Sequence, residues 1–322
     1  MKNHSFEKPL SFGEILDVTF RVIKENFSVL FLIMLIFEGP LDLLRGIAKA
    51  MGGAALLRAP NTGQGFDSLL ESLRQTESGT GLDAVYFILL LLISAPIAYA
   101  SLIIATDQIR KKEPLKILSI IKRSFSRYWA ILGGMFIYGL IMFALLFVFV
   151  LIVIALTVIS GGSQALTGLA IAGPQTGLGI IIAIIVLSII ALCAFVYLMT
   201  RWSFFFAAIV FEKVSPGLRK SWKLTRGNFW RLVGLYIILS IITLILSLVF
   251  QAVVYSILGS SVLAYLLITL VSIPISMITY IAYAVIYFDL RIRNEAGDLK
   301  AMLEDYQDKT SVHNTAETVE TK

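Results

Sequence analysis

Six stretches of this chain stay apolar for longer than a water-soluble fold of its size tolerates. They cover residues 27–49, 83–106, 128–159, 177–211, 232–258 and 262–288. A helix crosses a bilayer core with roughly 20 apolar residues, and each stretch reaches that length, although the first carries Glu38, Asp42 and Arg45. Membrane β-strands would alternate in polarity over about 10 residues, and the run 180–192 does not alternate. Hydrophobic residues make up 58% of the 322 and charged residues 15%, which leaves too little polar surface to clothe a soluble globule. The expected fold is all-α: a polytopic membrane protein with six transmembrane helices.

A period runs through the same chain. Phe27 follows Glu25-Asn26, Tyr128 follows Ser126-Arg127, and Phe229 follows Gly227-Asn228, at successive separations of 101 residues. Each aromatic stands after a short basic, amphipathic segment and before two long apolar ones. The pattern predicts three parallel repeats, each an amphipathic in-plane helix plus a helical hairpin. The expected divisions are repeat 1 at 1–106, repeat 2 at 107–211, repeat 3 at 212–293 and a polar tail at 294–322. That tail holds few apolar residues and many acids, so a disordered end is expected.

Orientation follows from Lys and Arg, which accumulate on the cytoplasmic side. The loop 107–129 carries Arg110, Lys111, Lys112, Lys116, Lys122, Arg123 and Arg127; the loop 212–231 carries Lys213, Arg219, Lys220, Lys223, Arg226 and Arg231. The loops 160–178 and 259–261 carry none. Both termini are therefore expected in the cytoplasm. The first outer loop, about 50–82, mixes Arg58 and Arg74 with Asp67, Glu71 and Glu77, and its Leu69, Leu70 and Leu73 predict a short helix. No cleavable leader is expected, because the first apolar run begins only at Phe27. The glycine-rich segment 160–177 reads as an outer turn, with a re-entrant loop as the other possibility.

The basic pI of about 9.3 points to anionic lipid rather than nucleic acid, since the bases lie beside membrane helices. Cys193 stands alone in the fourth span, and His4 and His313 lie near the ends. No metal-ligand spacing, P-loop, HExxH or nucleophile elbow appears. No cofactor and no enzyme activity are expected.

The in-plane segments carry local signals. Ser11 and Glu14 make a capping box ahead of a face of Phe12, Ile15, Leu16, Thr19, Phe20, Ile23 and Phe27, with Leu10 stapled onto Ile15. Asp17 and Arg21 are spaced to pair. In the second segment Pro114 is expected at the first helical position, with Ile117, Leu118, Ile121 and Phe125 as the apolar face. In the third, Ser215 is the expected cap and Pro216 the first position. Leu218, Trp222 and Phe229 oppose Arg219, Lys220, Lys223 and Arg226, and Gly227 is the stop. These four bases are candidate contacts for anionic lipid. Pro96 and Pro274, in matching Ser-x-Pro-Ile sequences, should kink their helices.

Two groups of residues carry a family resemblance. One is Leu10-Ser-Phe-Gly-Glu-Ile-Leu-Asp17 with Phe20-Arg21 and Asn26-Phe27. The other is Arg201-Trp202-Ser203, Val210-Phe211-Glu212 and the run 221–231, Ser-Trp-Lys-Leu-Thr-Arg-Gly-Asn-Phe-Trp-Arg. Over residues 9–293 the chain resembles the membrane domain of some bacterial glycerophosphoryl diester phosphodiesterases and of many stand-alone bacterial membrane proteins. In those enzymes catalysis belongs to a separate soluble barrel, so the resemblance implies a membrane module without its enzyme and transfers no catalytic residue. It also implies a bacterial cytoplasmic membrane. The expected function is a non-enzymatic module that binds lipids or partner proteins; the alternative is a transporter or permease component for a small solute or peptide.

Four residues are candidates for an intramembrane polar site. Glu38, Asp42 and Arg45 share one helical face, and Asp42 and Arg45 are spaced to pair. If the helix continues past Pro40, Glu38 lies near mid-membrane and the three face the protein interior, because lipid does not solvate them. If Pro40 ends the span, they sit in the outer interface. Arg201 either snorkels to the interface or pairs with Glu38 or Asp42.

Overall fold

The computed structural model describes residues 9–57, 81–161, 178–212 and 217–320. Every regular element among them is helical: α1 (Phe12–Met51), α2 (Gly81–Leu89), a π-helical turn (Leu90–Ser94), α3 (Ala95–Arg110), α4 (Ile117–Phe125), α5 (Tyr128–Gly161), α6 (Leu178–Trp202), α7 (Phe205–Glu212), α8 (Leu218–Leu224), α9 (Phe229–Leu258) and α10 (Val262–Glu320). Six helical stretches are long and apolar enough to cross a membrane: Phe12–Met51, Ala84–Arg110, Tyr128–Ala155, Ile185–Glu212, Phe229–Leu258 and Val262–Asn294. They coincide with the six apolar runs.

Two of the three periodic aromatics stand where a long helix begins. Tyr128 and Phe229 are the first residues of α5 and α9. Phe27 follows Asn26, whose φ of −125° and ψ of 21° put a kink in α1. The capping box forms as expected: Ser11 N–H donates to Glu14 Oε2 at 2.7 Å, and Glu14 N–H reaches Ser11 Oγ at 3.4 Å.

The chain forms two compact units, Met1–Tyr128 with Gly234–Lys322, and Trp129–Val233. In the first, α1, α3 and α10 pack on one another, α4 packs on α3, and α2 on α1. Lipid supplies no hydrophobic drive between helices, so close contact favours small residues. Ala98, Ala100, Ser101 and Ala105 of α3, and Ala282 and Ala284 of α10, are all fully buried. At Gly46 a Cβ would stand 2.9 Å from Leu266 Cδ2, so α1 crosses α10 at a glycine. Ser101 and Ser124 share a hydroxyl hydrogen bond of 2.9 Å that ties α4 to α3.

In the second unit α8 packs against α6 and α7. Helix α5 buries none of its most apolar window; Trp129, Phe136 and Phe143 are all exposed on it.

Several local expectations change. Helix α4 starts at Ile117, with Lys116 in an extended conformation as its cap, so Pro114 lies ahead of the helix rather than in it. Its buried face is Ile120 and Ser124, while Leu118 and Phe125 are exposed. In α1 the buried face is likewise rotated, onto Ile15, Val18, Thr19 and Val22, with Phe12, Phe20 and Phe27 outward. Asp17 and Arg21 are exposed and form no ion pair. Screening leaves such an exposed pair too weak to order two side chains. Ser215 and Pro216 lie outside the described residues, as do the leucines 69, 70 and 73 and nearly all of 160–177; α8 begins at Leu218 behind Gly217. It ends at Leu224, and Gly227, at φ +82°, closes the turn into α9. The segment expected to be disordered continues α10 as helix to Glu320. Its Ala, Leu, Lys and Glu have high helix propensity.

The prolines behave unequally. Pro96 removes the donor for the Leu92 carbonyl, and the chain widens there into the π turn, with Ala95 N–H reaching Leu90 O. The freed Leu92 carbonyl accepts the Tyr128 hydroxyl at 2.9 Å. Helix α10 runs on through Pro274, and α1 runs on through Pro40 to Met51. The helix therefore does not end at Pro40.

Candidate functional site

Because α1 stays helical, Asp42, Arg45 and Lys49 line one face toward its Met51 end. Asp42 is 9% exposed, while Leu43, Leu44 and Ile47 on the opposite side are exposed. Asp42 Oδ1 accepts the Tyr86 hydroxyl of α2 at 2.8 Å and the Tyr265 hydroxyl of α10 at 3.3 Å. Arg45, three residues on, adds its positive charge beside the same carboxylate. The Arg45 guanidinium lies over the rings of Tyr86, Phe87 and Tyr265 at 4.8, 5.4 and 5.4 Å, and the Lys49 ammonium lies 4.8 Å over Tyr265. Beyond α1, the Ala55 and Leu56 carbonyls accept the first N–H groups of α10, from Val262 and Leu263, at 2.9 and 3.0 Å. The arrangement locks α1, α2 and α10 together and leaves the Asp42 carboxylate satisfied. Glu38, one turn nearer the N-terminus, is half-buried.

A second polar knot went unread in the sequence. Asp289 of α10 has a fully buried side chain; it accepts the Leu10 N–H at 2.7 Å and Arg293 Nε at 3.0 Å. Arg293 Nη2 in turn donates to the Leu10 carbonyl at 2.7 Å. Nearby on α3, buried Asp107 is bridged by Arg110 at 2.8 Å and Lys111 at 2.7 Å, and the Arg110 guanidinium lies 4.4 Å over Phe288. Of the two, the Asp289 knot also fixes the chain entering α1, through Leu10.

The third constellation is a helix break. The fourth span stops at Trp202 and restarts as α7 at Phe205. Backbone groups freed by such a break need partners, and Ser221 of α8 supplies both. Its Oγ accepts the Phe204 N–H at 3.0 Å and donates to the Arg201 carbonyl at 2.8 Å, where Thr225 Oγ1 adds a bond of 3.3 Å. Gly217 lets α8 start here, at φ +74°, with only 2.6 Å between its ideal Cβ position and the Phe205 carbonyl. Around the break the Arg201 guanidinium lies 4.7 Å over Trp222, and its Nε donates to Tyr197 Oη at 3.2 Å. Of the four predicted lipid contacts, Arg219 and Lys223 on α8 and Arg226 in the turn after it are exposed. Lys220 is bridged to Glu212 at 2.9 Å.

A family model described as a domain of unknown function, DUF7847, matches residues 62–290. The chain belongs to the DUF7847 family. That match takes in the break at Arg201, its Ser221 bridge, Asp107 and Asp289, and leaves out α1 with Glu38, Asp42 and Arg45. No curated protein and no solved structure matches the chain. Within the DUF7847 stretch the only signals pointing to the break were Arg201 inside an apolar run and the tryptophans beside it; nothing in the spacing singled out Ser221.

Proposed function

We propose that this protein is a non-enzymatic integral membrane module of a bacterial cytoplasmic membrane, which engages anionic lipid through short basic helices and presents apolar helices to partner proteins. The observation that carries this is α8 with the turn after it: Arg219, Lys223 and, in the turn, Arg226 are exposed around Trp222, while the other side of α8 is fastened to a break in a membrane-length helix. Exposed Trp129 and Trp230 at the starts of α5 and α9 fit the aromatic belt of a membrane interface. The segment of α1 before Asn26, together with α4 and α8, reads as the in-plane helix of three parallel repeats, in keeping with the phosphodiesterase membrane-domain resemblance. The half-buried Glu38 beside Asp42 favours the second reading, a permease component for a small solute or peptide.

Lipid selectivity of the full chain tests the leading reading. Spin-labelled phosphatidylglycerol should associate more strongly than spin-labelled phosphatidylcholine. Each of the three exposed bases contributes about 1 kcal/mol near a charged leaflet, so R219Q/K223Q/R226Q should lose most of that preference, and added salt should weaken it. Equal association of both lipids, indifferent to salt, would show that the bases do not act on lipid.

Orientation follows from the Lys/Arg asymmetry and has its own test. In a Cys193→Ser background, cysteines placed at Ser163 and Ser260 should react with an impermeant reagent outside intact cells. Cysteines at Ser119 and Ser126 should react only after the cells are opened. The reverse pattern would invert the topology.

A further inference from the structure

Charge is unbalanced in the second unit. Between residues 129 and 233 the only acid is Glu212, against Arg201, Lys213, Arg219, Lys220, Lys223, Arg226 and Arg231. Glu212 is already bridged to Lys220 at 2.9 Å. Arg201 is therefore a guanidinium in a membrane-length helix for which its own unit holds no available carboxylate. Among the described residues its side chain meets only aromatics: the Tyr197 hydroxyl at 3.2 Å, the Trp222 ring at 4.7 Å and the Tyr197 ring at 5.4 Å. Its Nη1 is buried and has no hydrogen-bond partner.

A guanidinium with a dry, orphaned N–H is costly. Cation–π contacts offset part of that cost, but they do not satisfy a donor fork. The group that does is an oxyanion able to take two parallel N–H bonds, a carboxylate or a phosphate. The surroundings select phosphate at an interface. Trp222 belongs to α8, whose exposed Arg219 and Lys223, with exposed Arg226 in the turn just after it, bring positive charge to the same place. Phe229, the first residue of the 30-residue helix α9, packs 5.2 Å from Tyr197. The positive end of that helix dipole therefore lies at the same aromatic cluster.

We propose that Arg201, framed by Tyr197, Trp222 and the basic face of α8, seats the phosphate of an anionic glycerophospholipid. The inference rests on the lipid-binding reading above and narrows it from a charged surface to one site. Free phosphate has the same chemistry, so the experiment separates the two sources.

The test uses the full chain in phosphatidylcholine vesicles, in a Trp129→Phe/Trp230→Phe background, so that emission comes from Trp202 and Trp222 beside the seat. Quenching by brominated phosphatidylglycerol is compared with quenching by brominated phosphatidylcholine. A seated charge-assisted pair should favour the anionic lipid about tenfold, and the preference should survive about 0.5 M salt, where diffuse surface attraction is screened. R201Q should abolish the salt-resistant preference. R201K, which keeps the charge and loses the fork, should restore it only in part. R219Q/K223Q/R226Q should lower the low-salt preference and leave the salt-resistant part. A preference that vanishes in high salt with Arg201 in place, or that R201Q leaves intact, overturns the seat while the surface-binding reading stands. Loss of thermal stability in R201Q without any change in lipid preference assigns Arg201 to a carboxylate elsewhere in the chain and also overturns it. Millimolar inorganic phosphate that displaces brominated phosphatidylglycerol in the unaltered protein assigns the seat to a soluble anion instead.

Discussion

Asp289→Ala should be among the most destabilising single substitutions in this chain. The Asp289 carboxylate is completely buried and holds two groups at once, the Leu10 N–H at 2.7 Å and Arg293 Nε at 3.0 Å. Arg293 closes the loop by donating to the Leu10 carbonyl at 2.7 Å. Removing the carboxylate orphans a buried backbone donor and strands a guanidinium that is only 30% exposed. Breaking a buried pair from one side costs about 3–5 kcal/mol. Asn at the same position keeps an acceptor for Leu10 and loses the charge, so Asp289→Asn should recover part of that loss. The measurement is the thermal unfolding midpoint of the full chain in detergent, paired with protease cleavage ahead of α1. Release of the staple should make that segment the first to be cut. If Asp289→Ala unfolds with the unaltered protein and resists protease equally, the knot does not hold the N-terminal segment.

What the sequence disclosed about this fold was local or periodic. Six apolar runs gave six membrane-length helices because length and hydropathy are properties of the run itself. The Ser11–Glu14 capping box was legible because both partners lie within one turn. Of the periodic markers, Tyr128 and Phe229 open long helices and Phe27 follows the kink within α1. Contacts between distant positions stayed hidden. Asp42 finds its phenols on residues 44 and 223 positions away, and Asp289 meets Leu10 across 279. The i,i+3 spacing of Asp42 and Arg45 was legible within one helix, but the tyrosines that donate to the same carboxylate come from distant positions. Nothing near Asp289 in sequence marks it as buried.

The same limit explains the unequal prolines and the missed serine. Pro96 and Pro274 stand in near-identical tetrapeptides, yet only the first lies beside a π turn whose freed carbonyl meets a hydroxyl, that of Tyr128. What receives the carbonyl that a proline orphans is tertiary, and a tetrapeptide does not reveal it. Ser221 reads as an ordinary polar position on a basic segment. Its role exists only because α6 breaks beside it, and the break was not predicted within the apolar run 177–211.

Gly217→Ala should rival the loss of Asp289, and Gly227→Ala is its control. Both glycines are left-handed, at φ +74° and +82°, a conformation that costs an L-residue roughly 1–2 kcal/mol. At Gly227 a Cβ meets nothing within 4 Å, so strain is the whole expected penalty there. At Gly217 the Cβ would stand 2.6 Å from the Phe205 carbonyl, 3.2 Å from Ile209 Cγ1 and 3.3 Å from the Ala208 Cβ. The nearest obstacle is backbone and has no rotamer to escape into, so α8 must move off α7. Overpacking of this kind adds about 1–3 kcal/mol. The displacement also pulls Ser221 away from the Phe204 N–H and the Arg201 carbonyl, which it bonds at 3.0 and 2.8 Å. The expected result is an unfolding midpoint lowered clearly further by Gly217→Ala than by Gly227→Ala. The quenching of Trp222 by brominated lipid should change only in the first, because that ring travels with α8. Equal losses in the two variants, with Trp222 unmoved in both, would mean that the contact of α8 with α7 is loose and that Ser221 does not hold the break closed.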